Sequence, residues 1–419
     1  SDIVFELADH YYAAGALFFE KNYTISISAA FASLGSYNYK QAFIYLNRAR
    51  ECGKLCGRYK HWNITNENSK KKNQNTNWIG KFLNRETWSN EEILIACKYA
   101  HITGKEETYI ANLAEQFYEN LPENEPKESR LKILMATTLA LYDAEKFESS
   151  QKYAEVLIDA SYTPMQKATG LQMKGLSLSP RENKESRVSA LEEAFKIISD
   201  IKNRSMSEER FYGRILNSLG SEYTRIEGKK EEGLTHLTRR IELNKKKNLG
   251  DMPGIAMTYG AIGRYYLYNT LNVEKARESF KSDFDITIEL NDIEGQSQMF
   301  SLLGECDVKE NKNKEALENF ENAFQCAQKM DDSGFINKLF PCTSAINLCV
   351  HMQDDSKVEV FGLRLFQTLQ QFQSRLKPQD YIVANIDKNI VLWKKELNGE
   401  WISGIKNILD EIKKYKKKD

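Results

Sequence analysis

The sequence predicts an all-α solenoid, a chain of helical hairpins stacked one on the next, on three observations. Three similar segments recur at a fixed spacing, and their aspartates Asp251, Asp292 and Asp332 lie 41 and 40 residues apart. Twelve residues after the first two aspartates stands a glycine with an apolar residue before it, Gly263 and Gly304. No stretch alternates apolar and polar residues for long enough to predict a sheet. A fixed period of this length is typical of repeat proteins whose units bury their apolar faces against one another.

Each period contains two amphipathic helices. In the last clear period they are predicted over residues 298–306 and 314–324. Apolar residues recur there at three- and four-residue steps, which places them on one helical face. Gly304, Ala316 and Ala323 fall where the two helices must approach closely, because small residues let backbones come near. Phe320 fills the space beside them.

The spacings of 12, 4 and 3 residues from Gly304 to Ala316, Phe320 and Ala323 resemble the pattern of the tetratricopeptide repeat. The first-helix part of that pattern also occurs at residues 219–223 and 262–266, whereas Ser344 replaces the glycine of the next unit. The resemblance implies a right-handed α-solenoid whose first helices line a concave face. It also implies a protein that binds protein or peptide partners and is not an enzyme. The period of about 41 residues indicates the longer-helix version of the repeat.

The repeats differ in clarity along the chain. They are clear over 205–330, weaker over 20–52, 130–204 and 331–375, and lost over 53–128. We therefore predict N-terminal helical repeats over 1–128 with a polar insert at 60–78, a solenoid core over 129–375 and capping helices over 376–419. The insert carries Trp62 and Trp78. It is either a contact surface or a loop closed by buried tryptophan.

Composition narrows the function. Lysine plus arginine equals aspartate plus glutamate at 59 each, so the net charge is zero, which argues against a dedicated nucleic-acid binder. No apolar stretch reaches membrane-spanning length, and no secretory signal is present. Seven cysteines, an odd number scattered through predicted helices, indicate buried thiols in a cytoplasmic protein.

The sequence offers little for chemistry. Residues 103–106 contain Gly-Lys, but a glutamate replaces the hydroxyl residue of a phosphate-binding loop and the upstream glycine is missing. Cys52 with Cys56, and Cys97 with His101, share helical faces and could bind zinc, although such cysteines more often pack in a core. We expect no catalytic residues, no cofactor and no metal.

The tetratricopeptide resemblance also indicates where a partner binds. Side chains of the first helices that are not used in packing point into the concave groove; here they are Arg214, Asn217, Thr224, Arg225, Arg264, Tyr268, Gln298, Glu305 and Lys309. Arg214, Arg225 and Arg264 with Asn217 predict a basic, amide-lined patch suited to an acidic or extended peptide. The alternative is a solvated groove of mixed charge.

The opening of the chain suggests a context for the solenoid. Residues 3–15, with Phe-Glu-Leu-Ala followed by His-Tyr, resemble the segment where STAND-class signalling NTPases pass into their helical repeats, and residues 42–50 resemble their first repeat helix. The resemblance implies the ligand-sensing arm of a larger switch, in antiviral defence or transcription regulation, with an NTPase module of the same parent chain as a second partner. The alternative is a free-standing scaffold, adaptor or peptide-responsive regulator. A Walker motif upstream in the gene would distinguish the two.

Overall fold

The computed structural model describes residues 2–13, 18–35, 39–55, 88–103, 107–178, 183–330, 335–376, 381–397 and 399–415. Within these ranges the chain is helical apart from short connections, and none of the described residues forms a strand. The predicted all-α solenoid of tetratricopeptide-like hairpins is confirmed. The chain divides into two compact units, residues 1–208 and 209–419. The finer domain boundaries proposed from the sequence stay a prediction.

Unit 1 is a series of antiparallel helices. They are α1 Asp2–Ala13, α2 Phe19–Gly35, α3 Tyr39–Leu55, α4 Asn90–Thr103, α5 Glu107–Glu119, α6 Lys127–Asp143, α7 Phe147–Ala160, α8 Pro164–Ser177 and α9 Lys184–Ser199. Each helix packs on the next in the described ranges, and one apolar core runs from Ala8 to Leu157. The pairs α2–α3 and α8–α9 are the hairpins that the weaker repeats predict.

The hairpin of α4 and α5 lies in the stretch where the repeat pattern is lost. Sequence reasoning did not find it, because it lacks the glycine and alanine spacing of the clear repeats. A buried ion pair fixes α4 to α3: Arg50 Nη1 donates to Glu92 Oε2 at 2.5 Å, and both side chains are almost fully buried. The Arg50 guanidinium also lies 4.2 Å from the centre of the buried Trp88 ring. The aromatic face and the carboxylate together compensate a charge that would be costly to bury alone.

Unit 2 begins within the next helix. Its elements are α10 Met206–Tyr223, α11 Lys230–Lys247, α12 Met252–Arg264, a π-helical segment Tyr265–Thr270, α13 Val273–Glu289, α14 Ile293–Lys309, α15 Asn313–Gln328, α16 Phe335–Met352, α17 Asp355–Phe372, α18 Tyr381–Glu396 and α19 Glu400–Tyr415. From α12 onward, successive helices pair as hairpins, with α12, α14, α16 and α18 as first helices. The two helices predicted for the last clear period correspond to α14 and α15.

Close helix packing explains the glycines of the repeat. A Cβ added to Gly263 would lie 2.4 Å from the Phe280 ring, and one added to Gly304 would lie 2.7 Å from the Phe320 ring. Both rings are fully buried. Glycine is therefore required at these positions because the phenylalanine of the second helix occupies the space that a side chain would need. This is the role that the sequence pattern predicts for Gly304 and Phe320.

The π-helical segment absorbs an extra residue in the middle repeat. Gly263 and Ala276 are 13 residues apart, whereas Gly304 and Ala316 are 12 apart. Both alanines are fully buried at equivalent places on the second helices, so the connection before Ala276 must take up one residue more. It does so by widening the last turns of the first helix into residues 265–270. π-Helical turns of this kind often occur at functional sites.

The cysteines and the zinc candidates have ordinary surroundings. The described cysteines are buried and none of them forms a disulfide; burial raises the pKa of Cys97 to about 12, so this thiol is unreactive. His101 Nδ1 lies 2.9 Å from Asp143 Oδ2, whereas Cys56 of the candidate set lies outside the described residues. Among the residues described, no group of three potential metal ligands comes together.

Two further sequence features have different outcomes. The polar insert at 60–78 and most of the rejected loop at 103–106 lie outside the described residues. Across the part of the chain that the structure describes, no helix has both the length and the apolar character needed to cross a membrane.

Candidate functional site

Neighbouring first helices of unit 2 are connected by side-chain hydrogen bonds about one repeat apart. They run from Thr258 Oγ1 to Asn217 Oδ1 (3.0 Å), from the Tyr268 hydroxyl to Glu305 Oε2 (2.5 Å), from Asn337 Nδ2 to Glu294 Oε1 (3.2 Å) and from Trp393 Nε1 to Asn347 Oδ1 (2.8 Å). The bonds place these helices side by side. We call the surface formed by α10, α12 with its π-helical segment, and α14 the first-helix face.

The nine predicted partner-binding residues differ in how accessible they are. Arg214, Arg225, Tyr268 and Lys309 are exposed; Asn217, Arg264, Gln298 and Glu305 are half-buried; Thr224 is buried. The Thr224 hydroxyl donates to the Ser221 carbonyl at 2.8 Å, and the Thr224 carbonyl accepts from Asn269 Nδ2 at 2.8 Å. The Thr224 side chain is therefore buried within the repeat and is not exposed to a partner. Met257, 64% exposed, adds an apolar side chain to the face.

Five of the predicted residues come together around one guanidinium. Arg264 interacts electrostatically with Arg225, Tyr268 and Glu305, and Glu305 in turn interacts with Lys309. We call these five residues the Arg264 cluster. Arg225 is held at one side by an ion pair between its Nη1 and Glu222 Oε1, at 3.1 Å. Gln298 lies apart from the cluster, with its Nε2 3.3 Å from Glu294 Oε1.

A second basic corner surrounds Arg214. Its guanidinium is attracted by Asp251, but Oδ2 of that carboxylate already accepts from Arg240 Nη2 at 2.7 Å. Arg240 is 3% exposed and also donates from Nη1 to the Gly213 carbonyl at 2.6 Å. Two guanidiniums thus share one carboxylate. Arg214, Arg240 and Asp251 together carry one net positive charge, and Arg214 is the exposed member of the three.

Arg214 and Arg264 share an unusual combination of properties. Both reach solvent, yet desolvation lowers the pKa of each guanidinium. Protein atoms around each guanidinium therefore replace part of its hydration, while the side chain keeps access to solvent. A carboxylate arriving there would meet guanidiniums that have already lost part of their hydration, and would interact with them more strongly than with arginines on an open surface.

Sequence reasoning missed two buried charges beneath this face. Asp283, on α13, is 4% exposed, and Arg240, on α11, is 3% exposed. Asp283 follows Phe280 by three residues, just as Ala323 follows Phe320 in the next repeat; Arg240 has the corresponding place one repeat earlier. The signal was available, because a charged residue at the alanine position of the repeat is unexpected in a core.

Electrostatics distinguish Asp283 from an ordinary carboxylate. Burial raises its pKa to about 7, while Arg264 acts in the opposite direction and Asp292 adds to the rise. Burial also raises the pKa of Glu305, although the Tyr268 hydroxyl and Arg264 both favour its charged form. The acidic groups around Arg264 are thus less readily ionised than carboxylates in water. The arginines keep their charge near neutral pH.

Comparison with known proteins supports the fold. No family model matches the chain, and no curated protein matches it either. Among solved structures, it is similar to a Rap protein complexed with Competence and Sporulation Factor, with 14% identity over 95% of this chain and 98% of that one and a TM-score of 0.55. It is also similar to the apo form of RapI, with 12% identity over 94% and 98% of the two chains and a TM-score of 0.50. These likenesses and the hairpins of unit 2 define a tetratricopeptide-type helical-repeat protein.

Proposed function

We propose that this chain is a non-catalytic solenoid that binds an extended peptide, or an extended segment of a protein, on the first-helix face of unit 2. The observation that carries the proposal is the pair of solvent-accessible arginines, Arg214 and Arg264, on adjacent first helices, with the Asp251 carboxylate beside Arg214 already bound by Arg240. Exposed Met257 and Tyr268 add apolar surface nearby. Such a face suits a ligand that has carboxylates as well as an apolar side chain.

A structural neighbour lends support to a peptide ligand. One of the Rap proteins to which the chain is similar was solved complexed with Competence and Sporulation Factor. The two chains match over nearly their whole lengths, so a ligand held by the same kind of solenoid is a reasonable expectation. At 14% identity the likeness concerns the fold, and the ligand contacts proposed for this chain rest on its own residues.

Two settings fit this binding function. The opening segment, which folds as α1, favours a sensor arm of a STAND-type NTPase, in which ligand binding would release or assemble the NTPase module. The likeness in fold to the Rap structures, one of them complexed with Competence and Sporulation Factor, favours a peptide-responsive regulator. The gene sequence upstream of this chain distinguishes the sensor arm from the regulator. A Walker motif there supports the sensor arm, and its absence from the complete gene supports the regulator.

Charge reversal on the first-helix face tests the binding proposal. Arg225→Glu combined with Arg264→Glu should reduce capture from a random peptide display library by at least about tenfold, because the carboxylate partners would be repelled. Helix content by circular dichroism should stay unchanged. The matched control is Lys245→Glu combined with Lys281→Glu, the same charge change at exposed positions on second helices. If the double arginine variant captures as many peptides as this control, the first-helix face is not the binding surface.

A further inference from the structure

Asp283 occupies a place where packing alone does not require a carboxylate. The equivalent residue of the next repeat is the fully buried Ala323, and the hairpin there packs with the same glycine–phenylalanine contact. Burying a carboxylate is costly unless a partner offsets the desolvation. Packing of the core therefore does not account for the carboxylate of Asp283. The groups around it lie on the side of the first-helix face.

The structure opens a path from Asp283 to Arg264 across Gly260. A Cβ added to Gly260 would lie 2.6 Å from Asp283 Oδ2 and 3.2 Å from Arg264 Nη1. Both side chains thus converge on a bare stretch of the α12 backbone. The charged and polar groups facing Asp283 are Arg264 and the Gly260 backbone on α12, and Asp292 at the N-terminus of α14. Arg264 is the cation among them.

Arg264 has a second set of partners on the other side. It is attracted by Glu305, whose Oε2 accepts from the Tyr268 hydroxyl at 2.5 Å, and it lies in the field of the exposed Arg225. One guanidinium therefore stands between a buried carboxylate below and accessible groups above. A ligand carboxylate arriving at the first-helix face would have to compete with Asp283 for the same cation.

We propose that the Arg264 cluster is a subsite for a ligand carboxylate, in which Asp283 is an internal competitor for Arg264, so that the ligand binds more tightly when Asp283 is uncharged. The proposal rests on the proposed function, because it assumes that ligands bind to the first-helix face. The ligand class it names is a peptide with a glutamate, an aspartate or a free C-terminus at this position.

The competition links binding to pH. The pKa of Asp283, raised to about 7 by burial, places the change of charge between pH 6 and pH 8. Ligand carboxylates, with ordinary pKa values near 4, stay ionised throughout this range. As the pH falls from 8 to 6, Asp283 becomes neutral and Arg264 is released to the ligand. Linkage requires the converse as well: a bound carboxylate raises the pKa of Asp283 further.

A labelled acidic peptide tests the proposal. Fluorescence anisotropy with a fluorescein-labelled oligoglutamate should give a dissociation constant about fivefold lower at pH 6 than at pH 8, a coupling of ordinary size. Asp283→Asn should bind tightly at both pH values, and Arg264→Gln weakly at both. The matched control is Asp285→Asn, which removes a charge from an exposed position of the same helix and should behave like the unchanged protein. Asp283→Ala introduces the residue of the next repeat and provides a second variant without the competitor.

The possible outcomes separate this inference from the proposed function. Equal oligoglutamate affinity at pH 6 and pH 8, or no gain at pH 8 in Asp283→Asn and Asp283→Ala, would overturn the competition. Absence of oligoglutamate binding overturns the carboxylate subsite, while the proposed function survives if peptide capture still depends on Arg225 and Arg264. If that dependence is also missing, both fail.

Discussion

Two buried aspartates of unit 2, Asp283 on α13 and Asp307 on α14, show how the same residue can serve two purposes. Their exposures are 4% and 3%. Asp307 accepts from Arg277 Nη2 at 2.7 Å and from Asn319 Nδ2 at 2.6 Å, so its charge is compensated and ties neighbouring helices together. Asp283 instead faces a cation that also serves the surface. Burial alone does not reveal the role of a carboxylate. Its role depends on whether the cation beside it also interacts with groups at the surface.

The largest loss of stability is expected at Asp307, whose charge is compensated by hydrogen-bonding partners. Asp307→Ala should lower the free energy of unfolding by about 3 kcal/mol, because it leaves Arg277 and Asn319 partly buried without their shared acceptor. Urea denaturation followed by circular dichroism measures the change. Asp285→Ala, at an exposed position, is the control. A loss no greater than that of the control would contradict the structural role given to Asp307.

An intermediate effect is expected from the glycine contacts that both repeats share. Gly263→Ala should cost about 2 kcal/mol, because the new methyl group would overlap the buried Phe280 ring. Gly213→Ala is the matched control, since the nearest atoms to a Cβ in that helix are 3.9 Å away. It should be neutral or stabilise by up to about 1 kcal/mol, through better helix propensity. Thermal denaturation that ranks the two variants in the opposite order would contradict the close contact between Gly263 and Phe280.

A smaller, pH-dependent effect is expected at Asp283. The pKa of its carboxyl is raised in the folded state, so the folded protein binds more protons than the unfolded chain between about pH 4 and pH 7. The stability contributed by this group therefore falls as the pH rises through that window and stays low above it. Asp283→Asn should match the unchanged protein near pH 4 and be more stable than it at pH 8.

Urea denaturation of Asp283→Asn and the unchanged protein across this pH range measures the difference. The same comparison on Asp285→Asn, at an exposed position of the same helix, is the control. A stability gain that is constant with pH would mean that Asp283 does not titrate in this window.

Much of the fold was predictable because positions in close helix contacts accept only a few residue types. The spacing of Gly304, Ala316 and Phe320 predicted a close helix pair, and the structure contains it. The hairpin of α4 and α5 was not recognised, because its residues do not follow the spacing of the clear repeats and α4 is fixed to Arg50 of α3, 42 residues before Glu92. Such a pairing depends on the tertiary fold and has no local sequence signal.

The candidate site was predictable in part. Helical spacing placed Arg264, Tyr268 and Glu305 on one face, and the structure brings them together. Helical spacing did not predict that Thr224 is buried, because its surroundings depend on a hydrogen bond from Asn269 in the next repeat to the Thr224 carbonyl. Asp283 was missed for a different reason. Partner-binding residues were expected on first helices, whereas Asp283 lies on a second helix.

Site-specific photocrosslinking tests the central claim, that the first-helix face of unit 2 binds the ligand. A benzoylphenylalanine at Met257, 64% exposed on α12, would be compared with one at Ile288, 49% exposed on α13. Each protein would be irradiated with the peptides that the display library selects. Crosslinked peptide is expected from position 257, and little from position 288. Crosslinking from position 288 with none from 257 would contradict it.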